Sequence, residues 1–146
     1  MGFDQILGAT NISASGLSAE RLRMEVVANN IANAFSTRTP DGGPFRRQDV
    51  VFSTVLKGRL RGGDANPQQF GGVQAVDIID DPSDFIQIYN PGHPDANTDG
   101  YVSMPNVRLP TEMVNLMTAS RAYEANMRVL QFFRQMAEQA LTLGRS

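Results

Sequence analysis

Residues 111–143 read TEMVNLMTASRAYEANMRVLQFFRQMAEQALTL and contain neither proline nor glycine. Small and apolar side chains recur in this run at alternating steps of three and four, the spacing that places them on one face of an α-helix. The run therefore predicts a long helix, with Thr111 as its N-cap and Gly144 at its end. Its apolar face holds two adjacent rows, the first including Asn126, Val129, Phe133 and Met136 and the second Met113, Leu116 and Tyr123.

A second helix is predicted near the other end of the chain, where residues 5–34 contain no proline. Its apolar row is narrower and contains Leu17, Met24, Val27 and Ile31. Matching heptad spacing in the two helices predicts that they pair as an antiparallel coiled coil. An ordinary helical hairpin core accounts for the same periodicity. However, two adjacent rows give the later helix more apolar surface than one partner covers, which favours contacts between chains.

The middle of the chain has the composition of strands and loops. All eight prolines lie between Pro40 and Pro110. Runs of β-branched and aromatic residues at 50–55, 73–79 and 85–89 predict short strands, arranged as a ribbon or a three-stranded sheet. Connections are predicted at Gly62-Gly63, at Pro67 and at Gly71-Gly72.

The predicted fold class is therefore mainly α, with a small β/loop insertion and long terminal helices that pair around it. The predicted domain division joins residues 1–35 and 110–146 in one discontinuous helical coiled-coil domain. It leaves residues 36–109 as a strand- and loop-rich middle region. A chain of 146 residues is large enough for a core, yet small enough for self-assembly to add much of its stability.

Composition excludes several classes of partner and chemistry. The net charge is −2 and 19% of the residues are charged, so no long-range field favours nucleic acid or an anionic membrane. The chain has no cysteine, which excludes disulfides and thiolate chemistry. Its first residues lack the basic and apolar segments of a secretory signal, and no apolar run is long enough to span a membrane. We expect a protein that stays in the cytoplasm or is exported without a cleavable signal peptide.

The sequence offers little to catalysis. Its single histidine, His93, lies between Gly92 and Pro94, and no Ser or Cys nucleophile motif accompanies it. The paired glycines lack the strand-to-helix context of a nucleotide-binding turn. We expect no enzymatic activity, no cofactor and no small-molecule substrate.

One loop resembles the start of a calcium site. Residues 95–100, DANTDG, place oxygen ligands at positions one, three and five and glycine at six, as in an EF-hand. Position twelve is Asn106 rather than glutamate, and Pro105 precedes it where a helix should begin. The favoured interpretation is a polar turn held by side-chain hydrogen bonds, with Gly100 at a positive φ. The competing hypothesis is a calcium- or metal-binding module built on Asp95, Asn97 and Asp99.

Two segments at opposite ends of the chain resemble the signatures of one protein family. Residues 26–34, VVANNIANA, are similar to the amino-terminal signature of the flagellar axial proteins, which comprise rod, hook and hook-associated subunits. Residues 112–114, EMV, and 119–126, ASRAYEAN, are similar to the carboxy-terminal signature. Three further segments narrow the resemblance to the proximal rod subunits of this family, and they are residues 39–48, 90–97 and 100–107.

This resemblance implies a structural subunit of the bacterial flagellar basal body. Such a subunit passes unfolded through the flagellar type III export apparatus and assembles in the periplasm. Its partners are copies of itself, other rod proteins, and membrane-embedded basal-body and export components. Its terminal helices form the channel-lining layer of a helical tube that transmits torque. A soluble helical adaptor in the cytoplasm remains the third hypothesis from the residues alone.

The resemblance also suggests roles for individual residues. Asn29, Asn30 and Asn33 would fix the register between subunits, unless they are surface residues or mark a helix end. Arg121 and Glu124 would bridge neighbouring subunits or pair within their helix. The expected subunit interface comprises Leu17, Met24, Val27, Asn29, Asn30, Ile31, Asn33, Met113, Leu116, Arg121, Tyr123, Glu124, Asn126, Val129, Phe133, Met136 and Leu143. The loop motif comprises Asn90, Pro91, His93, Pro94, Asp95, Asn97, Gly100 and Tyr101.

Overall fold

The computed structural model describes residues 3–56 and 70–144, with side chains described for residues 8–55 and 71–144. Two long helices enclose four short strands in the chain order. The elements are α1 Phe3–Ala32, β1 Gln48–Leu56, β2 Phe70–Asp80, β3 Ile86–Tyr89, β4 Tyr101–Met104 and α2 Leu109–Leu143. The predicted class of two terminal helices around a small strand-rich middle is confirmed.

Helix α2 begins two residues before the predicted N-cap. The backbone N–H of Glu112 donates to the carbonyl of Arg108 at 3.0 Å, so Thr111 already lies inside the first turn. Pro110 is compatible with this start because the first N–H groups of a helix have no intrahelical acceptor. At the other end Gly144 follows the last helical residue, as predicted, and its N–H donates to the Ala140 carbonyl at 3.1 Å.

The strands form two separate two-stranded sheets rather than one sheet of three. Strands β1 and β2 pair, and the Asp81 N–H donates to the Arg47 carbonyl at 2.8 Å, which places the start of β1 beside the end of β2. Strands β3 and β4 are antiparallel, with Ile86 opposite Met104 and Tyr89 opposite Tyr101.

The sequence interpretation failed at two places in this region. It did not predict β4, because a four-residue strand between Gly100 and Pro105 gives almost no alternating pattern. It also took Gly71-Gly72 for a connection, whereas both residues lie inside β2. The other predicted connections, Gly62-Gly63 and Pro67, lie outside the described residues.

The chain divides into two compact units, each of which combines segments of helix and strand. The first unit comprises Met1–Leu22, Phe52–Val76 and Ala119–Ser146, and the second comprises Arg23–Val51 and Asp77–Thr118. The predicted division into a helical domain and a middle region stays a prediction.

Close backbone approach marks the first unit. Gly16 lies against α2, where an added Cβ would be 2.9 Å from Asn126 Nδ2. Ala119 is completely buried, as small residues at tight helix contacts often are. The Ser15 hydroxyl accepts a hydrogen bond from the Val73 N–H at 3.0 Å, which ties α1 to β2.

The second unit has a small apolar core that encloses polar side chains. The buried apolar residues of this unit are Val26, Val27, Ala34, Val102 and Val107. Three polar side chains, Asn30, Asn106 and Glu112, are buried with them. Burying such groups is unfavourable unless they are hydrogen-bonded, so their partners decide whether this core is stable.

Within the described residues, neither helix has an apolar stretch long enough to cross a membrane.

Candidate functional site

Asn30 joins three elements of the second unit. Its side chain has no exposed surface. The Nδ2 atom donates to the Gln48 carbonyl at 2.8 Å, and Oδ1 accepts from the Gln48 N–H at 2.9 Å. Nδ2 also donates to Glu112 Oε2 at 3.2 Å. The amide therefore bonds to the first residue of β1 as a neighbouring strand would, while it also bonds to α2.

Glu112 and Arg47 form the charged part of the same arrangement. The Glu112 side chain is 1% exposed and the Arg47 side chain 17%. Arg47 Nε donates to Glu112 Oε1 at 2.8 Å, so Arg47 and Asn30 hold different oxygens of one carboxylate. Such a pair is stable in a buried site only if both partners are present, because the remaining charge would otherwise be uncompensated.

Asn106 completes the hydrogen bonding on the other side of Arg47. Its Oδ1 accepts from the Arg47 N–H at 2.7 Å. Its Nδ2 donates to the carbonyls of Asp81 and Ser83, each at 3.2 Å. Asn30, Arg47, Asn106 and Glu112 are named here the polar cluster. This cluster fixes the end of α1, the start of β1, the segment after β2 and the start of α2 to one another within the second unit.

Electrostatics inside the cluster favours the ionised groups. Burial alone would lower the pKa of Arg47, but hydrogen bonds and charge attraction from Glu112 and Asp49 outweigh it and raise the pKa. Asp81 also approaches the guanidinium, with its Oδ2 at 3.4 Å from the Arg47 nitrogen. Hydrogen bonds from Ser83 lower the pKa of Asp81, and Arg47 lowers it further.

Asp81 should make the folded chain more stable at neutral pH than in acid. Its pKa is lower in the folded chain than the ordinary 3.8, so its stabilising contribution is present above that unfolded value. The contribution is lost as the pH falls through the folded pKa. In urea unfolding measured from about pH 6 to about pH 2, Asp81→Asn should lower stability at the upper end and reduce the loss on acidification. Asp84→Asn, which changes an exposed carboxylate nearby, is the control, and identical pH profiles for the two variants would contradict the assignment.

A cleft of about 300 Å³ opens beside the cluster in the second unit. Its walls carry both signs of charge, from Arg47, Arg108, Asp81, Asp84 and Glu112. No acid, base or nucleophile in it has the geometry of a catalytic pair in the described part of the chain, since Arg47 and Asn30 occupy the Glu112 carboxylate.

The loop motif folds as the predicted polar turn. Asn97 Oδ1 accepts from the N–H groups of Asp99 at 3.0 Å and Tyr101 at 2.8 Å. Gly100 has a φ of 82°, and an added Cβ would be 2.8 Å from the Tyr89 ring. Glycine is therefore required at this position both for its backbone conformation and for space.

The loop carboxylate proposed as a calcium ligand is bonded to the protein instead. Asp95 Oδ2 accepts from the Thr37 hydroxyl at 2.8 Å, and Arg38 lies 3.7 Å from Oδ1. His93 Nδ1 accepts from the Asp95 N–H at 3.1 Å. Among residues 3–56 and 70–144, no three acidic or histidine side chains are placed to hold a metal ion. The loop anchors the 90–101 segment to the segment after α1.

The predicted interface residues divide by exposure. Exposed members are Asn29, Met113, Arg121, Glu124, Val129 and Leu143. Half-buried members are Leu17, Met24, Ile31, Asn33, Leu116, Tyr123, Asn126, Phe133 and Met136. Val27 and Asn30 are buried inside the second unit. For these two, the structure shows an intramolecular role in place of the predicted contact with a neighbour, because no side-chain surface is left to reach one.

The three asparagines of α1 thus behave differently. Asn33 follows the last residue of the helix, and its Nδ2 donates to the Asn29 carbonyl and side chain, each at 3.0 Å. It therefore marks a helix end, which was one of the two interpretations from sequence. Only Asn29 is exposed.

Apolar side chains remain exposed along α2. Phe132 is 59% exposed and Leu143 77%, and Met113, Met117 and Leu141 are each more than half exposed. Neither predicted row included Phe132. The helix therefore carries apolar surface on several sides, beyond the face that packs within the chain.

Three charged residues of α2 also lack partners. Arg121, Glu124 and Arg128 are exposed and form no ion pair within the described part of the chain, although Glu124 and Arg128 have the favourable i, i+4 spacing. Further along the helix Arg134 and Glu138 do form such a pair, at 2.9 Å. The alternative in which Arg121 and Glu124 are satisfied within their own helix is therefore not what the structure shows.

Two parts of the chain match families of flagellar proteins. Residues 11–38 match the family described as Flagella basal body rod protein. Residues 98–143 match the family described as Flagellar basal body rod FlgEFG protein C-terminal. The first match contains Asn30 and the second contains Asn106 and Glu112. Together these matches define the class of the chain, which is that of the flagellar rod subunits.

Whole-length relatives narrow the class. The chain is 43% identical over 140 residues to the flagellar basal-body rod protein FlgC of Yersinia enterocolitica, covering 95% of this chain and 98% of the relative. It is 40% identical over 147 residues to FlgC of Borreliella burgdorferi, covering 94% and 97%. The corresponding protein of Bacillus subtilis is 40% identical over 147 residues, covering 92% and 95%. The chain belongs to the FlgC family of flagellar basal-body rod proteins.

Sequence analysis did not find the polar cluster. It treated Glu112 as an acid at a helix start and gave Arg47 and Asn106 no role. The Asn30–Glu112 and Arg47–Glu112 partners are 82 and 65 residues apart, so no local spacing connects them. The available signals were an acid at the start of an apolar helix and an arginine just before a strand, which become informative only when the elements are known to meet.

Proposed function

We propose that the chain is a structural subunit of the proximal rod, which assembles through its terminal helices into a helical tube. This tube encloses the export channel and transmits torque through the periplasm. The observation that carries the proposal is the exposed apolar surface of α2, including Phe132 and Leu143. Exposed apolar surface of this extent on a helix is typical of a protein that is completed by neighbouring subunits.

The polar cluster supports the mechanical part of the proposal. A subunit that transmits torque needs its helices fixed to its middle region, and buried charge-assisted hydrogen bonds supply such a connection. Within the second unit, Glu112 links α2 to Arg47 at 2.8 Å and Asn30 links α1 to Gln48 at 2.8 Å. The partners in this proposal are copies of the same chain, other rod proteins, and membrane-embedded basal-body and export components. Neither nucleic acid nor a small-molecule substrate takes part.

We also propose that the half-buried rows of the two helices pair as an antiparallel coiled coil. The contact between Gly16 and Asn126 in the first unit supports this pairing, because it brings the two helices within side-chain distance. Open contacts between identical faces of successive subunits would then generate a helical array rather than a closed ring.

Deleting the gene in its native host should stop assembly before the rod is complete. Hook–basal bodies purified from the parent should contain the protein, and those from the mutant should lack both the protein and a finished rod. Complementation with the unaltered gene controls for effects on neighbouring genes. Complete rods in the deletion strain would overturn the proposed function.

A further inference from the structure

Helix α2 has a solvent-facing row that the packing within the chain does not use. Its members follow steps of four, four, three and four along the helix and are Met113, Met117, Arg121, Glu124 and Arg128. All five are exposed, and the two methionines are 54% and 56% exposed. At about 100° per residue these positions lie within one narrow face of the helix. This row is called the α2 outer row.

Helix α1 has an outer row of a different character. It consists of exposed residues at steps of three and four, which are Ser18, Arg21, Glu25, Ala28 and Ala32. The row opposes the side of α1 that carries the buried Val26 and Asn30. Its small residues permit close approach of another helix, and its two charges of opposite sign lie at the centre.

We infer that the α2 outer row of one copy docks in antiparallel orientation on the α1 outer row of a second copy. This inference rests on the proposed function and names the partner of the exposed helix surface. In this register Arg121 lies opposite Glu25 and Glu124 lies opposite Arg21. The two methionines lie opposite alanines, Met117 on Ala28 and Met113 on Ala32. Flexible methionine side chains fit well over small residues on a facing helix.

The lengths of the two rows agree with this register. From Met117 to Arg128 the α2 row rises about 16 Å, and from Ala28 to Ser18 the α1 row rises about 15 Å, at about 1.5 Å per residue. All contacting positions therefore remain in step across three turns. Since the two rows lie on different surfaces of the chain, each copy offers one row to each of two neighbours, which is a heterologous contact that propagates.

Charge selects among the alternative registers. Sliding the antiparallel helices so that Glu124 faces Glu25 places like charges opposite each other at two positions, which is unfavourable. A parallel arrangement also gives two opposite-charge pairs, Glu124 with Arg21 and Arg128 with Glu25. However, it leaves only one methionine, Met117, on an alanine, Ala14. The antiparallel register is the one that satisfies the charges and covers both methionines.

Charge reversal in a flagellated host tests the inference. Glu25→Arg and Arg121→Glu each place like charges opposite each other, so each single variant should reduce the yield of complete rods roughly tenfold or more. The double variant with both changes should restore most of that yield. Glu25→Arg combined with Arg128→Glu is the matched control, because it repairs the parallel register instead. Rescue by this control pair, or the absence of any defect in the single variants, would overturn the inference.

Cysteine cross-linking identifies the partner, because the native chain has no cysteine. One copy carrying Ala28→Cys and a second, differently tagged copy carrying Met117→Cys should form a mixed disulfide dimer in assembled rods. Ala28→Cys with Ala140→Cys is the control, since position 140 lies about 35 Å further along the helix. A cross-link to a different rod protein in place of the second copy would overturn the inference. The deletion experiment stands independently of either result, so the two proposals fail separately.

Discussion

Glu112→Ala should lower the free energy of unfolding of the chain by about 3 to 5 kcal/mol, the range found when one partner of a buried ion pair is removed. The Glu112 carboxylate accepts from Arg47 Nε at 2.8 Å and from Asn30 Nδ2 at 3.2 Å. Truncation leaves a mostly buried guanidinium with only Asp49 and Asp81 as counter-charges. It also leaves an amide hydrogen of Asn30 without its acceptor. Urea unfolding of the purified full-length chain, followed by circular dichroism, measures the loss.

Two further variants separate charge from packing at this position. Glu112→Gln keeps the shape and one acceptor oxygen but removes the charge, so it should cost less than the alanine variant, about 1.5 to 3 kcal/mol. Glu138→Ala removes an exposed ion pair with Arg134, whose partners are 61% and 82% exposed. This control should cost about 0.5 kcal/mol or less. A Glu112→Ala variant as stable as the Glu138→Ala control would show that the cluster does not hold the second unit together.

Asn30→Ala should destabilise the chain by about 3 kcal/mol, because it leaves several buried groups unpaired at once. The Gln48 N–H and carbonyl lose partners at 2.9 Å and 2.8 Å, and the Glu112 carboxylate loses one donor. Asn30→Asp is nearly the same shape, yet it places a second carboxylate beside Glu112 in a buried site. It should therefore be at least as destabilising as the alanine variant, which a cavity alone would not explain.

The neighbouring asparagine is the matched control. Asn29 is exposed, and replacing it by alanine should change stability by about 0.5 kcal/mol or less, the usual range for surface positions. The same urea titration measures all three variants. Equal effects at positions 29 and 30 would mean that the asparagines act through helix propensity rather than through the bonds to Gln48.

The sequence was sufficient for the helices because their signals are local. Proline and glycine are concentrated outside both helices, and the steps of three and four extend through most of α2. The error at the start of α2 arose at Pro110, which was treated as a helix breaker although the first turn accepts proline. Strand β4 was missed because Tyr101–Met104 is too short for an alternating pattern.

The candidate site was only partly predictable. Exposed positions such as Met113, Arg121 and Glu124 belong to rows that periodicity reveals, and the structure leaves them on the surface. Periodicity does not say which polar residues on a helix find partners in distant segments. Asn29 and Asn30 look equivalent in the sequence, but only Asn30 meets the backbone of Gln48, 18 residues away. That distinction requires the tertiary arrangement of α1 and β1.

The side-chain amide of Asn30 also has a consequence for crowded assembly. Sheet edges with free N–H and carbonyl groups are templates on which another chain adds a strand, and a rod brings many identical edges together. At Gln48 both groups on one edge of β1 are already bonded to Asn30. A helix side chain thereby closes the ladder at the first residue of the strand, so subunits packed side by side cannot extend their sheets into one another at this point.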